Sequence, residues 1–447
     1  MNQEQHLKER FEERRRMALT SHSNAFITIS EGFGAITEGR LSGVIFGVKD
    51  NIATRGMRLT CASRLMKDYV SPYSATVVER LQRAGALILG KNNMDEFACG
   101  SSGERSAFGP TANPLFPGKV PGGSSSGSAS AVAEGIVDAS IGSDTGGSVR
   151  CPSSFCSTVG LKPSYGRVSR YGLVDLSMSL ESPAPIVRYG DELLLADIMD
   201  TIAGEDERDQ RTLGMAAPQF RRRLMDAAIE NTMFAIPQQL LASCTREVVN
   251  EFDRFVSFLK EKGARLERIQ FSYLHLSLPT YYVVMYSEFA SAMQRYDGLK
   301  FGTAADSSGI ESRILESRSQ LGEEVRRRIL LGTYITSLEG RSRWYEKGMA
   351  AKAYISEELA SALNASDVLL MPTMPTTPYR FGERLSPLDM YSTDLLTVPA
   401  NIAGLPSISF PAAPGIGIQL IGKHGSDEFL VSLVNSIREA GWKWKSS

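Results

Sequence analysis

The chain has 447 residues, of which 42% are hydrophobic and 22% charged, so it carries enough apolar side chains to fold around a large core. Its 49 basic and 50 acidic side chains nearly cancel, which argues against the global positive charge typical of nucleic-acid-binding proteins. No apolar run approaches the roughly 20 residues of a membrane helix, and the five cysteines include no Cys-x-x-Cys pair. We therefore expect a soluble cytoplasmic protein with reduced thiols and no metal site.

The first predicted elements are a helix and a strand. Residues 1–20 are rich in charged side chains, with Leu7, Phe11 and Met17 at roughly helical spacing, which predicts a surface helix rather than a signal peptide. Residues 42–48 (SGVIFGV) form a short apolar run that stops at Lys49. This pattern predicts a buried strand that carries Lys49 at its end.

Helices and strands then alternate along the chain. Residues 76–84 have apolar side chains at helical spacing, and residues 86–89 read as an apolar strand. Residues 128–137 are small and compatible with a helix, and residues 139–143 lead into a second glycine turn before Ser148. The alternation indicates the α/β class, with helices around one sheet.

The second half of the chain is predicted to be more helical. Residues 205–330 read as a helical covering region, in which the periodicity is strongest at residues 248–259. Further helices are predicted near residues 281–295, 323–331 and 343–363, and short strands at residues 367–371, 407–410 and 416–421. We find no repeat and no low-complexity linker, and we expect one domain over residues 1–447.

Two glycine- and serine-rich stretches stand out, PGGSSSGS at residues 121–128 and GSDTGGS at residues 142–148. A single such stretch is usually a flexible surface loop. Two of them, each before a segment of small residues, favour a site where the backbone approaches a ligand closely. The successive amides of residues 145–148 would suit an oxyanion, because glycine lacks the Cβ atom that blocks approach.

Three other patterns suggest different chemistry. Residues 85–92 (GALILGKN) nearly match a phosphate-binding loop, but their interior is a continuous apolar run typical of a strand. Residues 123–127 match the G-x-S-x-G elbow of serine hydrolases, with Ser125 as nucleophile and His275 or His424 as base, although Gly-Ser sequences match that pattern easily. The third pattern is a pair of cysteines near Ser148, which are either redox-active or small buried thiols: Cys151 and Cys156.

Lys49 is the alternative base in a chain with only four histidines. An ordinary lysine has a pKa near ~10.4 and cannot act as a base until burial favours the neutral amine. The end of a buried strand provides such a setting. Taken alone, a surface lysine at a strand end would be the simpler interpretation.

The chain resembles the amidase signature family, hydrolases with a Ser-cisSer-Lys triad. The resemblance rests on GVKD at residues 47–50, PGGSSSGSASAVAEG at residues 121–135 and GSDTGGSVRCPSSFCSTVGLKPSYGRVS at residues 142–169. It implies that Lys49 is the base, Ser124 the bridging serine and Ser148 the nucleophile. It also implies that the amides of Thr145, Gly146 and Gly147 bind the oxyanion, and that the fold is a mixed sheet covered by helices on both faces.

Within this family the chain is similar to glutaminase subunits of tRNA-dependent amidotransferases. The similarity spans about residues 41–442 and includes residues 93–113, 165–173, 322–334 and 394–406. It implies that glutamine is bound by Asp394, by Arg328 or its neighbour Arg327, and by Tyr281 or its neighbour Tyr282. A guanidinium suits the α-carboxylate of glutamine, and a carboxylate suits its α-ammonium group.

This resemblance implies a function and a set of partners. The chain would hydrolyse glutamine and pass ammonia to a B subunit, which amidates Glu-tRNA(Gln) or Asp-tRNA(Asn) using ATP and magnesium, while a C subunit holds the two together. The chain itself would need no cofactor, and charged tRNA would be contacted mainly through the partner. The alternative is a stand-alone amidase of the same family that acts on small or fatty amides.

Overall fold

The computed structural model describes residues 3–34, 37–303, 309–383 and 386–444, and its centre is a mixed sheet of eleven strands within those ranges. The strands are β1 (Phe26–Ile29), β2 (Ile45–Lys49), β3 (Leu87–Asn92), β4 (Ala139–Asp144), β5 (Thr158–Lys162), β6 (Ser182–Arg188), β7 (Met233–Pro237), β8 (Arg265–Ile269), β9 (Val368–Pro372), β10 (Ser407–Ala413) and β11 (Ile416–Gly422). Their order across the sheet is β1-β3-β2-β4-β6-β5-β10-β11-β9-β7-β8.

Three parallel strands bring the glycine-rich stretches to one edge of the sheet. Strand β2 pairs in parallel with β3 on one side and with β4 on the other. The carboxyl ends of these strands therefore lie together, with Lys49 at the end of β2 and Asp144 at the end of β4. All five residues of β2 are buried, which confirms the predicted strand that carries Lys49.

Fifteen α-helices of the described residues surround the sheet. They are α1 (Gln3–Thr20), α2 (Thr76–Arg83), α3 (Ser126–Ala133), α4 (Arg150–Phe155), α5 (Glu192–Ile202), α6 (Gln238–Leu241), α7 (Arg246–Glu261), α8 (Ser277–Ala292), α9 (Ile310–Ser319), α10 (Glu323–Thr336), α11 (Leu338–Gly340), α12 (Glu346–Ala365), α13 (Pro387–Ser392), α14 (Val398–Ile402) and α15 (Asp427–Glu439). The first two residues of the predicted N-terminal helix lie outside the described ranges. Within those ranges, no helix has the length and apolar character needed to cross a membrane.

The two faces of the sheet belong to different apolar clusters. Side chains alternate between the faces of a strand, and β9 shows this clearly. Val368 and Leu370 pack in one cluster with α2, α5, α7 and α15, whereas Leu369 and Met371 pack in another with α8, α10 and α12. The prediction of an α/β fold with a mixed sheet and helices on both faces is confirmed.

Some strands carry no clear sequence pattern. Strand β6 lies inside the sheet although it contains Pro183 and Pro185, which lack the amide hydrogen that a central strand normally donates. Its neighbour β5 pairs only with residues 186–188, so both prolines lie where β6 is paired with β4 alone. The predicted helical region at residues 205–330 also needs correction, because it contains β7 and β8. Strand β8 is a largely exposed edge strand (RLERI). Its charged side chains obscure the alternation of apolar and polar residues that would predict a strand.

Candidate active site

Lys49 occupies a buried, hydrogen-bonded position at the end of β2. Its Nζ atom donates to Ser124 Oγ at 2.8 Å and to Ser143 Oγ at 3.0 Å, and it lies 3.3 Å from the Ser143 carbonyl oxygen. Burial lowers the pKa of Lys49 to about 8, although the surrounding carboxylates act in the opposite direction. The amine can therefore be neutral at mildly alkaline pH, which a base requires.

Ser124 lies in the turn before α3, and the Gly123–Ser124 peptide bond is cis. A Cβ atom on Gly123 would lie 2.1 Å from Asp95 Oδ2 and 2.9 Å from the Gly103 amide nitrogen, so only glycine fits there. Asp95 in turn accepts hydrogen bonds from the amides of Gly103 and Arg105. The glycine run thus allows the backbone to pass close to a buried carboxylate and present Ser124 to Lys49.

Ser148 lies in the loop between β4 and α4, next to the Ser124 turn. The Ser125 amide donates to the Ser148 carbonyl at 3.0 Å and fastens the two serine-bearing segments to each other. The tertiary structure therefore brings together the three residues predicted as the catalytic group: Lys49, Ser124 and Ser148.

The loop at residues 145–148 fits its surroundings closely. A Cβ atom on Gly146 would lie 2.5 Å from Tyr281 Oη, and Gly147 has a φ of +127° and would bring a Cβ atom 2.4 Å from Thr397 Oγ1. Within the described ranges, the amides of Thr145 and Gly146 donate to no protein acceptor. These two amides remain available for an oxyanion.

The Gly147 amide is already hydrogen-bonded, so its oxyanion role stays a prediction. It donates to Asp144 Oδ1 at 3.0 Å, and one N–H group cannot serve that carboxylate and an oxyanion equally well. The bond is local, since Asp side chains in turns often accept from amides a few residues further along the chain.

A buried ion pair that the sequence did not predict shapes this loop. Both side chains of Asp144 and Arg150 are completely buried, with Arg150 Nη2 2.9 Å and Nε 3.1 Å from the carboxylate. Burial opposes the ionisation of Asp144, but the ion pair outweighs it and holds the pKa of Asp144 below its ordinary value. Arg150 also donates to the Thr397 carbonyl, to Gln419 and to Asn401, so its guanidinium is well satisfied.

We expect Arg150→Met to lower the free energy of unfolding by about 3–5 kcal/mol, because it leaves Asp144 buried without a counter-charge. Denaturant unfolding followed by circular dichroism measures this change. Arg83→Met provides the matched control, since Arg83 pairs with Glu79 on an exposed helix face and its loss should cost less than about 1 kcal/mol. Equal effects of the two substitutions would contradict a structural role for the buried pair.

Two neighbouring tyrosines of α8 border the site. Tyr281 packs against Gly146, and Tyr282 donates from its hydroxyl to Asp394 Oδ2 at 2.7 Å. Burial raises the pKa of Asp394 to about 7, while the Tyr282 hydrogen bond and the charge of Arg328 act to lower it. The structure therefore gives the two tyrosines different positions, Tyr281 beside the glycine loop and Tyr282 on the carboxylate.

The structure also separates the two arginines of α10. Arg328 is 4% exposed, and its Nε donates to Glu324 Oε1 at 2.9 Å. Arg327 points outward, where its side chain is 30% exposed and pairs with Glu323 and Glu324. Arg328 is the buried one, and its charge acts on Asp394.

The competing hydrolase pattern is not assembled. Ser125 is fully buried and donates to the Ser143 carbonyl at 3.2 Å, whereas His275 and His424 are exposed, and His424 contacts the Tyr165 carbonyl. No histidine within the described ranges is hydrogen-bonded to Ser125.

The phosphate-loop pattern and the cysteine pair both lie in the buried interior. The phosphate-loop pattern forms β3, whose Lys91 is buried 3.3 Å from Asp50. Cys151 and Cys156 are buried, and burial raises the pKa of both thiols, that of Cys156 to about 12. The described ranges contain no group of three or more His, Cys, Asp or Glu side chains arranged to hold a metal ion.

Comparison with known proteins identifies the family. The amidase family model matches residues 27–431. The A subunit of the glutamyl-tRNA(Gln) amidotransferase of Natronomonas pharaonis is 46% identical over 418 residues, which cover 91% of this chain and 98% of that protein. The corresponding protein of Thermotoga maritima is 39% identical over 427 residues, or 94% of this chain and 89% of that protein.

Solved structures agree with this assignment. The crystal structure of the Thermotoga maritima protein, the A subunit of its glutamyl-tRNA(Gln) amidotransferase, superposes with a TM-score of 0.84 at 37% identity, covering 98% of this chain and 92% of that one. The peptide amidase of Stenotrophomonas maltophilia, with a TM-score of 0.80 and 23% identity over 97% of this chain and 93% of that one, shares the fold. The family match spans nearly the whole sheet and both glycine-rich stretches, and the chain therefore belongs to the amidase family and is an amidase.

Proposed function

We propose that this amidase is the glutamine-hydrolysing A subunit of a glutamyl-tRNA(Gln) amidotransferase. The observation that carries the proposal is a pair of opposite charges near the glycine loop, the buried Arg328 and the partly buried Asp394, whose pKa the charge of Arg328 acts to lower. A ligand with an ammonium and a carboxylate group would complement both charges, and Arg328 can bind it while paired with Glu324, because a guanidinium has five N–H donors. Free glutamine has an α-ammonium and an α-carboxylate group, whereas a simple amide has neither.

In this proposal Asp394 and Arg328 orient glutamine by its charged end. The Asp394 carboxylate pairs with the α-ammonium group, and the Arg328 guanidinium binds the α-carboxylate. Tyr282 orients Asp394, and Tyr281 lines the path to the glycine loop. The side-chain amide then lies at the loop, where Ser148 can reach its carbonyl carbon.

The chemistry begins with a proton transfer through two serines. Neutral Lys49 accepts a proton from Ser124, and Ser124 accepts a proton from Ser148. As Ser148 loses this proton, its oxygen attacks the amide carbon. The amides of Thr145 and Gly146 stabilise the oxyanion. The relayed proton leaves with ammonia, and water then releases glutamate from the Ser148 ester through a second oxyanion. No step requires a metal or nucleotide bound to this chain.

The relatives are named as A subunits of a larger enzyme, and this name motivates the rest of the proposal. We propose that the ammonia passes to a B subunit that uses ATP and magnesium to activate the carboxylate of Glu-tRNA(Gln), with Asp-tRNA(Asn) as a second candidate substrate. A C subunit would hold the other two together, and the charged tRNA would be contacted mainly through the partner in the cytoplasm. We further propose that residues 1–447 act as one domain, since strands from residue 26 to residue 422 share one sheet.

The test is to separate substrate recognition from chemistry. Asp394→Asn and Arg328→Ala should each raise the KM for glutamine about tenfold or more, because each leaves one charged end of the substrate unpaired. Hydrolysis of an uncharged small amide by the same variants should change little. Steady-state ammonia release from both substrates measures the two effects.

Arg327→Ala is the matched control, since Arg327 neighbours Arg328 on α10 but points outward. Its KM for glutamine should remain within about twofold of the wild-type value. Equal losses on glutamine and on the uncharged amide would instead favour a stand-alone amidase in which Asp394 and Arg328 are structural.

A further inference from the structure

Glu181 is a completely buried carboxyl group close to the catalytic lysine. It lies immediately before β6 and is 0% exposed. One of its oxygens, Oε2, accepts a hydrogen bond from the Leu176 amide at 2.7 Å. The other, Oε1, is buried without a hydrogen-bond partner among the described residues. A carboxyl in this setting is costly unless a nearby group compensates it.

Ser143 is hydrogen-bonded to Lys49 and lies beside the start of β6, which Glu181 precedes. The Ser143 hydroxyl oxygen accepts from Lys49 Nζ at 3.0 Å and from Asn51 Nδ2 at 3.1 Å. These two bonds use both lone pairs of the hydroxyl, so its hydrogen is left to donate elsewhere. In the register of β4 and β6, Ser143 is paired with Pro183 and Asp144 with Ser182, which places Glu181 next to the end of β4. The Ser143 hydroxyl acts to lower the pKa of Glu181, against the larger effect of burial, which raises it.

The other charged groups around Lys49 are already compensated. Asp144 pairs with Arg150, and Asp95 accepts the amides of Gly103 and Arg105. The fourth group that acts on Lys49 is the Cys61 thiol, and burial raises its pKa so that it stays neutral.

Among the described residues, Asp175 and Arg170 also interact electrostatically with Glu181. Asp175 carries the same charge and cannot compensate it, and Arg170 is engaged with Asp209 at 2.9 Å. Lys49 is the positive group that acts most strongly on Glu181. The carboxyl and the amine are therefore each other's main electrostatic partner.

We propose that Glu181 is a positioning residue, the buried counter-ion of Lys49, and that Ser143 joins the two side chains. The inference rests on the proposed role of Lys49 as the base. A carboxylate at this position stabilises the charged form of the lysine, so it keeps the amine oriented toward Ser124 and sets the pH at which the amine becomes neutral. Glu181 does not touch the substrate and acts only through Lys49.

The test follows the rate at which a serine-reactive phosphonate labels Ser148 as a function of pH, which reports on Lys49 without requiring glutamine binding. The wild-type rate should fall as the pH drops below about 8, where Lys49 takes up a proton. Glu181→Gln removes the negative charge and should move this limb to lower pH by about 1 unit or more. The kcat for glutamine should show the same shift, with KM within about twofold of the wild-type value.

Glu192→Gln is the matched control, because Glu192 is equally buried but pairs with Arg438 instead of Lys49. Its limb should coincide with that of the wild type. Should Glu181→Gln fail to fold, Glu181→Met replaces it, since an apolar side chain of similar size is often tolerated in place of a buried charge. We expect the same shift of the acidic limb to lower pH in this variant.

Two results would overturn the inference, and they are distinguishable. A wild-type limb near pH 8 that stays in place in the Glu181 variants removes Glu181 as the counter-ion and leaves Lys49 as the base. A wild-type profile with no such limb removes the proposed base, and the inference about Glu181 with it.

Discussion

Ser148→Ala should lower the kcat for glutamine hydrolysis by about 10⁴-fold or more, because it removes the oxygen that would form the acyl-enzyme. The variant should keep its fold, since Ser148 lies in a loop and no hydrogen bond of its hydroxyl holds described elements together. Ammonia release and circular dichroism measure the two outcomes. Mass spectrometry after phosphonate treatment should find the label on Ser148 in the wild type and none in the variant.

Ser125→Ala is the matched control for this experiment. Ser125 is the nucleophile of the competing G-x-S-x-G interpretation, and among the described residues its hydroxyl bonds only to the backbone of Ser143. Most of the turnover and the label on Ser148 should survive in this variant. Near-normal turnover in folded Ser148→Ala, or a label on Ser125, would show that the proposed nucleophile is wrong.

Lys49→Arg should reduce kcat by about 10²- to 10⁴-fold, which is the contribution expected of a general base. Arginine keeps the positive charge but does not lose its proton at accessible pH, so it cannot take the proton of Ser124. In the wild type, kcat should fall about tenfold per pH unit below about pH 8, the pKa to which burial lowers Lys49. The variant should lack this limb, because its guanidinium stays charged throughout.

Lys91→Arg controls for the exchange of a buried lysine. Lys91 lies on the neighbouring strand β3, is also 0% exposed, and interacts with Asp50 rather than with Ser124. This variant can lose stability but should keep the pH limb of the wild type. A Lys49→Arg enzyme with wild-type turnover would instead mean that the lysine acts only as a fixed charge.

Much of the fold could be predicted because its signals are local. Apolar runs and spacing identified β2, β3 and the helices α2, α7 and α10, all of which the structure contains near the predicted bounds. Strand β6 was not predicted, because its two prolines contradict the pattern of a central strand. The sheet accommodates these prolines because β5 ends before it reaches them. Strand β8 was not predicted, because an exposed edge strand needs no apolar side chains.

The proposed catalytic group was predicted from the resemblance to the amidase signature family, which the two glycine- and serine-rich stretches carry. The sequence could not decide between Arg327 and Arg328, because both match the helical spacing and only the packing of α10 buries one of them. The sequence also could not decide between Tyr281 and Tyr282. Only the structure shows that Tyr281 lies beside the glycine loop and that Tyr282 donates to Asp394.

The sequence by itself therefore determined the α/β class, the strand that carries Lys49 and the membership of the amidase family. Only the tertiary structure decided which groups surround that lysine. Arg150 bonds to Thr397 and Gln419, which lie 247 and 269 residues away, and the pairing of β6 with β4 places Glu181 next to the end of β4. Local spacing sets how a segment folds, whereas the charge state of a buried lysine depends on carboxyl groups that distant segments bring to it.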